Sequence, residues 1–214
     1  MPAPLIKICG IKTPDTLDAA IAARADFIGL VFFGKSPRYV EPALAASLSA
    51  RAAGRTGVVG LFVDPTPDFL ASVLATVRLD HIQLHGRESP EQVAAIAARH
   101  GVSVWKALGV KKRADLAMAD RFAGAATRVL FDAKPPAGAD LPGGNGLRID
   151  WAVLKGVRPA LPWMLAGGLG PANVAQAIAM TGAPAVDVSS GVESAPGVKD
   201  PARITAFCAA VRAN

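Results

Sequence analysis

The chain has 214 residues, 51% of them hydrophobic and 19% charged, with a net charge of +6 and a sequence pI of about 9.7. That composition supplies one well-buried core and excludes a disordered chain, and no stretch approaches the ~18 apolar residues needed to cross a bilayer. Two cysteines almost a chain length apart, Cys9 and Cys208, exclude a disulfide scaffold and point to a reducing cytoplasm.

The opening Met1-Pro2-Ala3-Pro4 lacks the basic head and long apolar stretch of a signal peptide, so no secretion is expected. Lys and Arg are scattered rather than blocked and aromatics are few, which argues against nucleic acid; the charge fits attraction of small anions.

Short apolar runs recur along the chain at Leu5–Cys9, Phe27–Phe33, Gly57–Val63, His81–His85, Val102–Leu108, Arg128–Asp132, Pro162–Gly167 and Ala185–Ser189. Their apolar positions are nearly continuous rather than alternating, as expected of parallel strands covered on both faces. Helical patterns lie between them. Thr13-Pro14, Thr66-Pro67, Ser89-Pro90 and Asp200-Pro201 each set a capping oxygen before a proline at the first helical position, and Ser89 with Gln92 has capping-box spacing. Leu70, Val73, Leu74 and Val77, and later Ile204, Phe207, Cys208 and Val211, follow at helical intervals. Strand followed by helix, eight times over in a chain of this length, predicts a single closed (β/α)8 barrel over 1–214 rather than an open doubly wound sheet. The irregular stretch Ala133–Gly146 reads as an active-site loop inside that barrel.

Function in such a barrel sits at the C-terminal ends of the strands. There the sequence offers Cys9, Gly34–Arg38, Asp64, His85, Asp132, Gly167-Gly168 and Ser189-Ser190. Taken alone, Cys9 reads first as a small buried hydrophobe. Lys7, two residues earlier, shares its strand face and would favour thiolate, unless it pairs with a carboxylate inside the barrel. Asp132 is a catalytic acid or a loop-capping aspartate; Asp64, followed by Pro65-Thr66-Pro67, reads as a turn residue. His85 is a wall residue or a catalyst, and Arg38 a bidentate carboxylate clamp or a solvated surface group. Glycine clusters at Gly143-Gly144-Asn145-Gly146, Gly167-Gly168-Leu169-Gly170 and Ser189-Ser190-Gly191 suit close backbone approach to a phosphate; tight turns without a ligand are the plainer alternative. The three histidines form no metal-binding pair and no CxxC is present, so no metal is expected.

Together these pieces resemble the phosphoribosylanthranilate isomerase family. The resemblance runs through Lys7-Ile8-Cys9-Gly10-Ile11, Phe32 to Arg38, Gly60-Leu61-Phe62-Val63, Gln83-Leu84-His85-Gly86, Asp132, Leu165-Ala166-Gly167-Gly168-Leu169 and Asp187-Val188-Ser189-Ser190-Gly191-Val192-Glu193, in order over essentially the whole chain. One departure is Asn145, where the family's glycine loop usually has Thr or Ser. The resemblance implies an Amadori rearrangement, in which an aminoaldose phosphate becomes an aminoketose phosphate. It implies Asp132 as general acid and Cys9 as base, with Arg38, His85, Gly144, Gly168, Asp187, Ser189, Ser190 and Gly191 binding the substrate. The iminium formed on the substrate is its own electron sink, so no metal, flavin or nicotinamide is expected. A cytoplasmic monomer or homodimer, acting on a phosphorylated small molecule with no membrane or nucleic-acid partner, is the corresponding expectation. Two alternatives remain: another phosphosugar barrel enzyme, such as an indoleglycerol-phosphate synthase or a Schiff-base aldolase using Lys7 or Lys106, and a non-catalytic binder in which Cys9 and Asp132 are dispensable.

Overall fold

The computed structural model describes residues 3–134, 143 and 146–213. Eight parallel strands pair in chain order and close on themselves: β1 (Leu5–Cys9), β2 (Phe27–Val31), β3 (Gly57–Phe62), β4 (His81–Leu84), β5 (Ser103–Val110), β6 (Arg128–Ala133), β7 (Trp163–Leu165) and β8 (Ala185–Val188). Closure is the β1–β8 seam, which sets Lys7 opposite Asp187. All eight predicted runs are strands, because a fully buried parallel sheet needs apolar side chains on both faces. At the N-terminal face, Asp26 and Asp80 accept the backbone N–H groups of Ile6 and Val58 at 2.8 Å each and so satisfy the open starts of β1 and β3.

Among the described residues six α-helices pack outside: α1 (Pro14–Ala22), α2 (Pro42–Ala52), α3 (Pro67–Thr76), α4 (Pro90–His100), α5 (Val174–Thr181) and α6 (Pro201–Arg212). The four predicted proline starts are all realised with their caps, and Ser89 and Gln92 close a reciprocal capping box. Asp200, for instance, accepts from the N–H groups of Ala202 and Arg203 at 2.8 and 3.1 Å.

The eightfold strand–helix alternation is not complete. After β5 and β6 the chain forms 3₁₀ turns, Arg113–Phe122 and Trp151–Leu154, in place of α-helices. In the first of these the buried residues Leu116, Ala119 and Phe122 recur every third position. A period of three is that of the 3₁₀-helix, whose side chains at i and i+3 eclipse, so this segment can present only one narrow apolar edge to the sheet. A second feature absent from the sequence reading is a small antiparallel hairpin after β8, formed by β9 (Glu193–Ala195) and β10 (Val198–Lys199).

Inside the barrel the side chains sort by height. Val59, Trp105, Ala107, Leu130, Met164 and Ala185 fill the lower part. At its base Phe27, His81 and Trp105 form an aromatic cluster, with ring centroids 4.7–5.6 Å apart, and the Arg128 guanidinium lies 5.1 Å from the Trp105 ring. Cys9, Val31 and Leu61 form a separate group near the mouth. Lys7 and Gln83, which share strand faces with Cys9 and His85, are both fully buried.

Candidate active site

A cavity of about 770 Å3, including its open mouth, occupies the C-terminal end of the barrel. Cys9 from β1, Asp132 from β6, His85 just after β4 and Asp187 from β8 all line it. Its apolar wall is Val31, Phe33, Leu61 and Val63, and its opposite rim is Gly146, Gly167, Gly168, Ser189 and Ser190. Parallel strands all end at one rim, so residues distant in sequence converge there. Gly144 and Asn145 lie outside the described residues, as does most of the stretch read as an active-site loop.

The acid is held by two donors. Asp132 Oδ1 accepts the N–H of Ala133 at 2.7 Å, and its Oδ2 lies 3.2 Å from His85 Nε2. Behind the ring, Gln83 Nε2 approaches His85 Nδ1 at 3.2 Å. Gly143 closes over the pair: a Cβ there would stand 2.7 Å from both Asp132 Oδ2 and His85 Nε2, so only glycine lets the chain pass so near.

The thiol stands among charges. Lys7 donates to Asp187 Oδ1 at 2.8 Å, which realises the carboxylate pairing foreseen for an amine inside the barrel. Burial works against the Lys7 charge, but Asp187 and Cys9 outweigh it and its pKa is raised. Burial pushes the Cys9 thiol up, while Lys7 and Lys199 pull it down and Asp187 adds to the rise; the resultant is upward. Cys208, in the apolar stripe of α6, has only burial of consequence acting on it, and its thiol is pushed up to about 11. Both cysteines are free thiols.

Arg38 is not a surface group. It is 6% exposed, lines the cavity and grips Glu193 through Nε and Nη2 at 2.8 and 2.9 Å. Lys199 Nζ reaches the same carboxylate at 2.5 Å and also donates to the carbonyl and hydroxyl of Ser189 at 3.1 and 3.2 Å. Ser189 Oγ in turn donates to the carbonyl of Cys9 at 3.1 Å. Burial works to raise the Glu193 carboxyl, yet Arg38 and Lys199 overcome it and its pKa is lowered. Arg38 and Lys199 thus share the Glu193 carboxylate at this corner of the mouth. The β9–β10 hairpin exists to bring Glu193 and Lys199 under Arg38, and neither residue had a role in the sequence reading. Glu193 stood in the Asp187-to-Glu193 motif; Lys199 carried no signal of its own, because Glu193 and Ser189 meet it only when the hairpin folds back.

The remaining candidates separate cleanly. Asp64 is a turn residue with φ 43°, its Oδ1 accepting from the N–H of Arg87 at 2.6 Å. Lys106 points out of the barrel toward the β4 loop, donating to the carbonyls of Gly86 and Ala107 at 2.9 Å and pairing with Glu88 at 3.1 Å. The loops after β7 and β8 touch through Gly191, where a Cβ would fall 1.8 Å from the Leu169 carbonyl oxygen. That contact brings Gly168 and Ser190 to one rim. Asn173 stiffens the first loop, its Oδ1 accepting from Gly170 N–H at 2.8 Å and its Nδ2 donating to the Gly168 carbonyl at 3.0 Å. Among the described residues no group of His, Cys, Asp and Glu could hold a metal ion, and no helix is long and apolar enough to cross a membrane.

Fold and site thus define a (β/α)8-barrel with a thiol and a carboxyl facing one cavity and a glycine–serine rim beside them. The family profile for N-(5'-phosphoribosyl)anthranilate (PRA) isomerase matches residues 6–210, and the chain belongs to that family. It is 56% identical over 207 residues to the N-(5'-phosphoribosyl)anthranilate isomerase of Paramagnetospirillum magneticum, covering 97% of this chain and 96% of the relative. The enzyme of that name from Rhodospirillum centenum is 55% identical over 209 residues, covering 97% and 98%. Among solved structures, the phosphoribosyl anthranilate isomerase of Thermotoga maritima superposes with a TM-score of 0.87 at 34% identity, over 99% of this chain and 100% of that one. A phosphoribosyl anthranilate isomerase in complex with reduced 1-(o-carboxyphenylamino)-1-deoxyribulose 5-phosphate superposes with a TM-score of 0.82 at 32% identity, over the same shares of the two chains.

Proposed function

We propose that this chain is an N-(5'-phosphoribosyl)anthranilate isomerase of tryptophan biosynthesis, with residues 1–214 forming one catalytic barrel. The observation that carries the reading is that Cys9 and Asp132, ending strands on different sides of the barrel, open into one cavity.

Asp132 protonates the ring oxygen of the ribose; the C1–O bond breaks and the nitrogen lone pair forms an iminium at C1. Cys9 removes the proton at C2, and that electron pair flows into the iminium to give the enolamine, which tautomerises to the ketone. A carboxyl suits protonation of an oxygen leaving group, and a polarisable thiolate suits removal of a proton from carbon. Inside the barrel the thiol is held up by burial and Asp187 and down by Lys7 and Lys199. The iminium adds a further positive charge beside it at the moment the thiolate is needed.

Arg38, which lines the cavity and is held in place by Glu193, takes the anthranilate carboxylate. Gly168, Ser189, Ser190 and Gly191, on the loops after β7 and β8, supply donors for the phosphate together with Gly144, which lies outside the described residues, while His85 and Asp187 face the sugar. Two buried free thiols fit a cytoplasmic enzyme, acting as a monomer or a homodimer. Turnover of freshly generated phosphoribosylanthranilate, followed by loss of its fluorescence, tests the reading. No loss above the uncatalysed rate would overturn it.

A further inference from the structure

We infer that Gln83 is a positioning residue that fixes the tautomer of His85 so that the ring donates its Nε2–H to Asp132. The inference rests on the reading of Asp132 as the acid. It also has a consequence that does not depend on turnover.

Gln83 sits in β4 between Leu61 of β3 and Trp105 of β5, fully buried beneath the cavity and not lining it. A buried amide among apolar neighbours costs free energy unless it is satisfied, and its Oε1 has no partner. An apolar residue would fill that place at less cost, so the amide is retained for its other end. That end is Nε2, 3.2 Å from His85 Nδ1.

With its nitrogen on that side the amide donates, which makes Nδ1 the unprotonated ring nitrogen and leaves the hydrogen on Nε2. Nε2 faces Asp132 Oδ2 at 3.2 Å, while Asp132 Oδ1 is taken by the N–H of Ala133. Once the acid has given its proton to the substrate, its two oxygens therefore meet two donors. The opposite tautomer would present a lone pair to Oδ2. Before transfer it would draw the acid's proton onto itself; after transfer it would repel the carboxylate. Gln83 thus directs the proton of Asp132 toward the substrate without touching substrate or acid.

The histidine ring nitrogens of the ¹⁵N-labelled, ligand-free protein report this directly by two-bond ¹H–¹⁵N correlation, in a spectrum of only three histidines. His85, assigned by its absence from a His85→Asn variant, is expected as the Nε2–H tautomer. Gln83→Glu, which offers acceptors only, is expected to convert it to the Nδ1–H form. Gln83→Glu and Gln83→Leu should each lower kcat by about tenfold to a hundredfold, the loss of one charge-assisted hydrogen bond in the transition state, with KM unchanged. A merely structural role would move KM and stability together and leave the tautomer alone. An Nδ1–H ring in the unmodified protein overturns the inference whatever the variants do, and so does a Gln83→Leu enzyme with undiminished kcat. If the unmodified protein shows the Nε2–H ring but no turnover, the activity reading fails and the tautomer assignment stands.

Discussion

Arg38 and Glu193, 155 positions apart in sequence, form a two-point ion pair at the cavity mouth, and Lys199 shares the carboxylate. The pair makes Arg38 a fixed cation rather than a swinging one, since a planar fork bound along one edge has lost its rotational freedom. Arg38→Ala leaves Glu193 still bound by Lys199 and by the N–H of Gly197, so the fold should survive. A charge-assisted hydrogen bond is worth ~1.5–3 kcal/mol, so a ligand bearing the anthranilate carboxylate should bind about tenfold to a hundredfold more weakly. A ligand with phosphate but no aromatic carboxylate should bind nearly as before. Calorimetry with both ligands checks this; equal weakening of the two would place Arg38 at the phosphate or in the scaffold instead.

Cys9→Ser and Asp132→Asn should each lower kcat by ~10²–10⁴, the usual contribution of one proton-transfer group. The two substitutions preserve size, and circular dichroism should report an unchanged fold. Steady-state rates near those of the unmodified enzyme in either variant would remove that residue from the mechanism.

Borohydride added during turnover should leave the protein's mass unchanged. Lys7 is locked to Asp187 with its pKa raised, which keeps it an ammonium and not a nucleophile. Lys106 has its pKa lowered by burial, against the pull of Glu88, but it lies outside the cavity lining and is tied to three backbone carbonyls. Intact mass spectrometry showing a reduced adduct on either lysine would move the protein to the aldolase reading.

His81, stacked on Trp105 at the barrel base, has its pKa lowered by burial, with Arg128 adding to the effect and Asp80 opposing it. A folded pKa below the unfolded value means that the unfolded chain takes up the proton first. The contribution of this residue to stability is therefore fully present above the unfolded pKa and lost as pH falls through the folded one. His81→Phe keeps an aromatic ring in the cluster and removes the titration. Its Tm should fall less than that of the unmodified protein between about pH 7 and about pH 5. Parallel Tm curves for the two proteins would show that His81 is not the group responsible.

The sequence by itself determined the barrel and its chemistry-bearing rim. Eight near-continuous apolar runs can only be strands buried on both faces, and proline after a capping oxygen starts a helix through contacts within one turn. Cys9, His85, Asp132 and Ser189 were legible because each ends an apolar run, and in a parallel barrel all such ends share one rim. Every one of those signals is local, decided within a few residues. What only the tertiary structure decided is which charge meets which. The choice between a Lys7 that serves the thiol and one that pairs with an acid depended on the β1–β8 seam, which sets Asp187 opposite it. Arg38 was a clamp or a surface group until the β9–β10 hairpin folded Glu193 and Lys199 beneath it. Gln83 stood only in the Gln83-Leu84-His85-Gly86 motif; His85 is its next neighbour on the same strand face, and what the barrel decided is that Gln83 is fully buried there and that His85 meets Asp132. Propensity and capping act along the chain, whereas ion pairing acts through space, so only closure of the barrel could settle these partners.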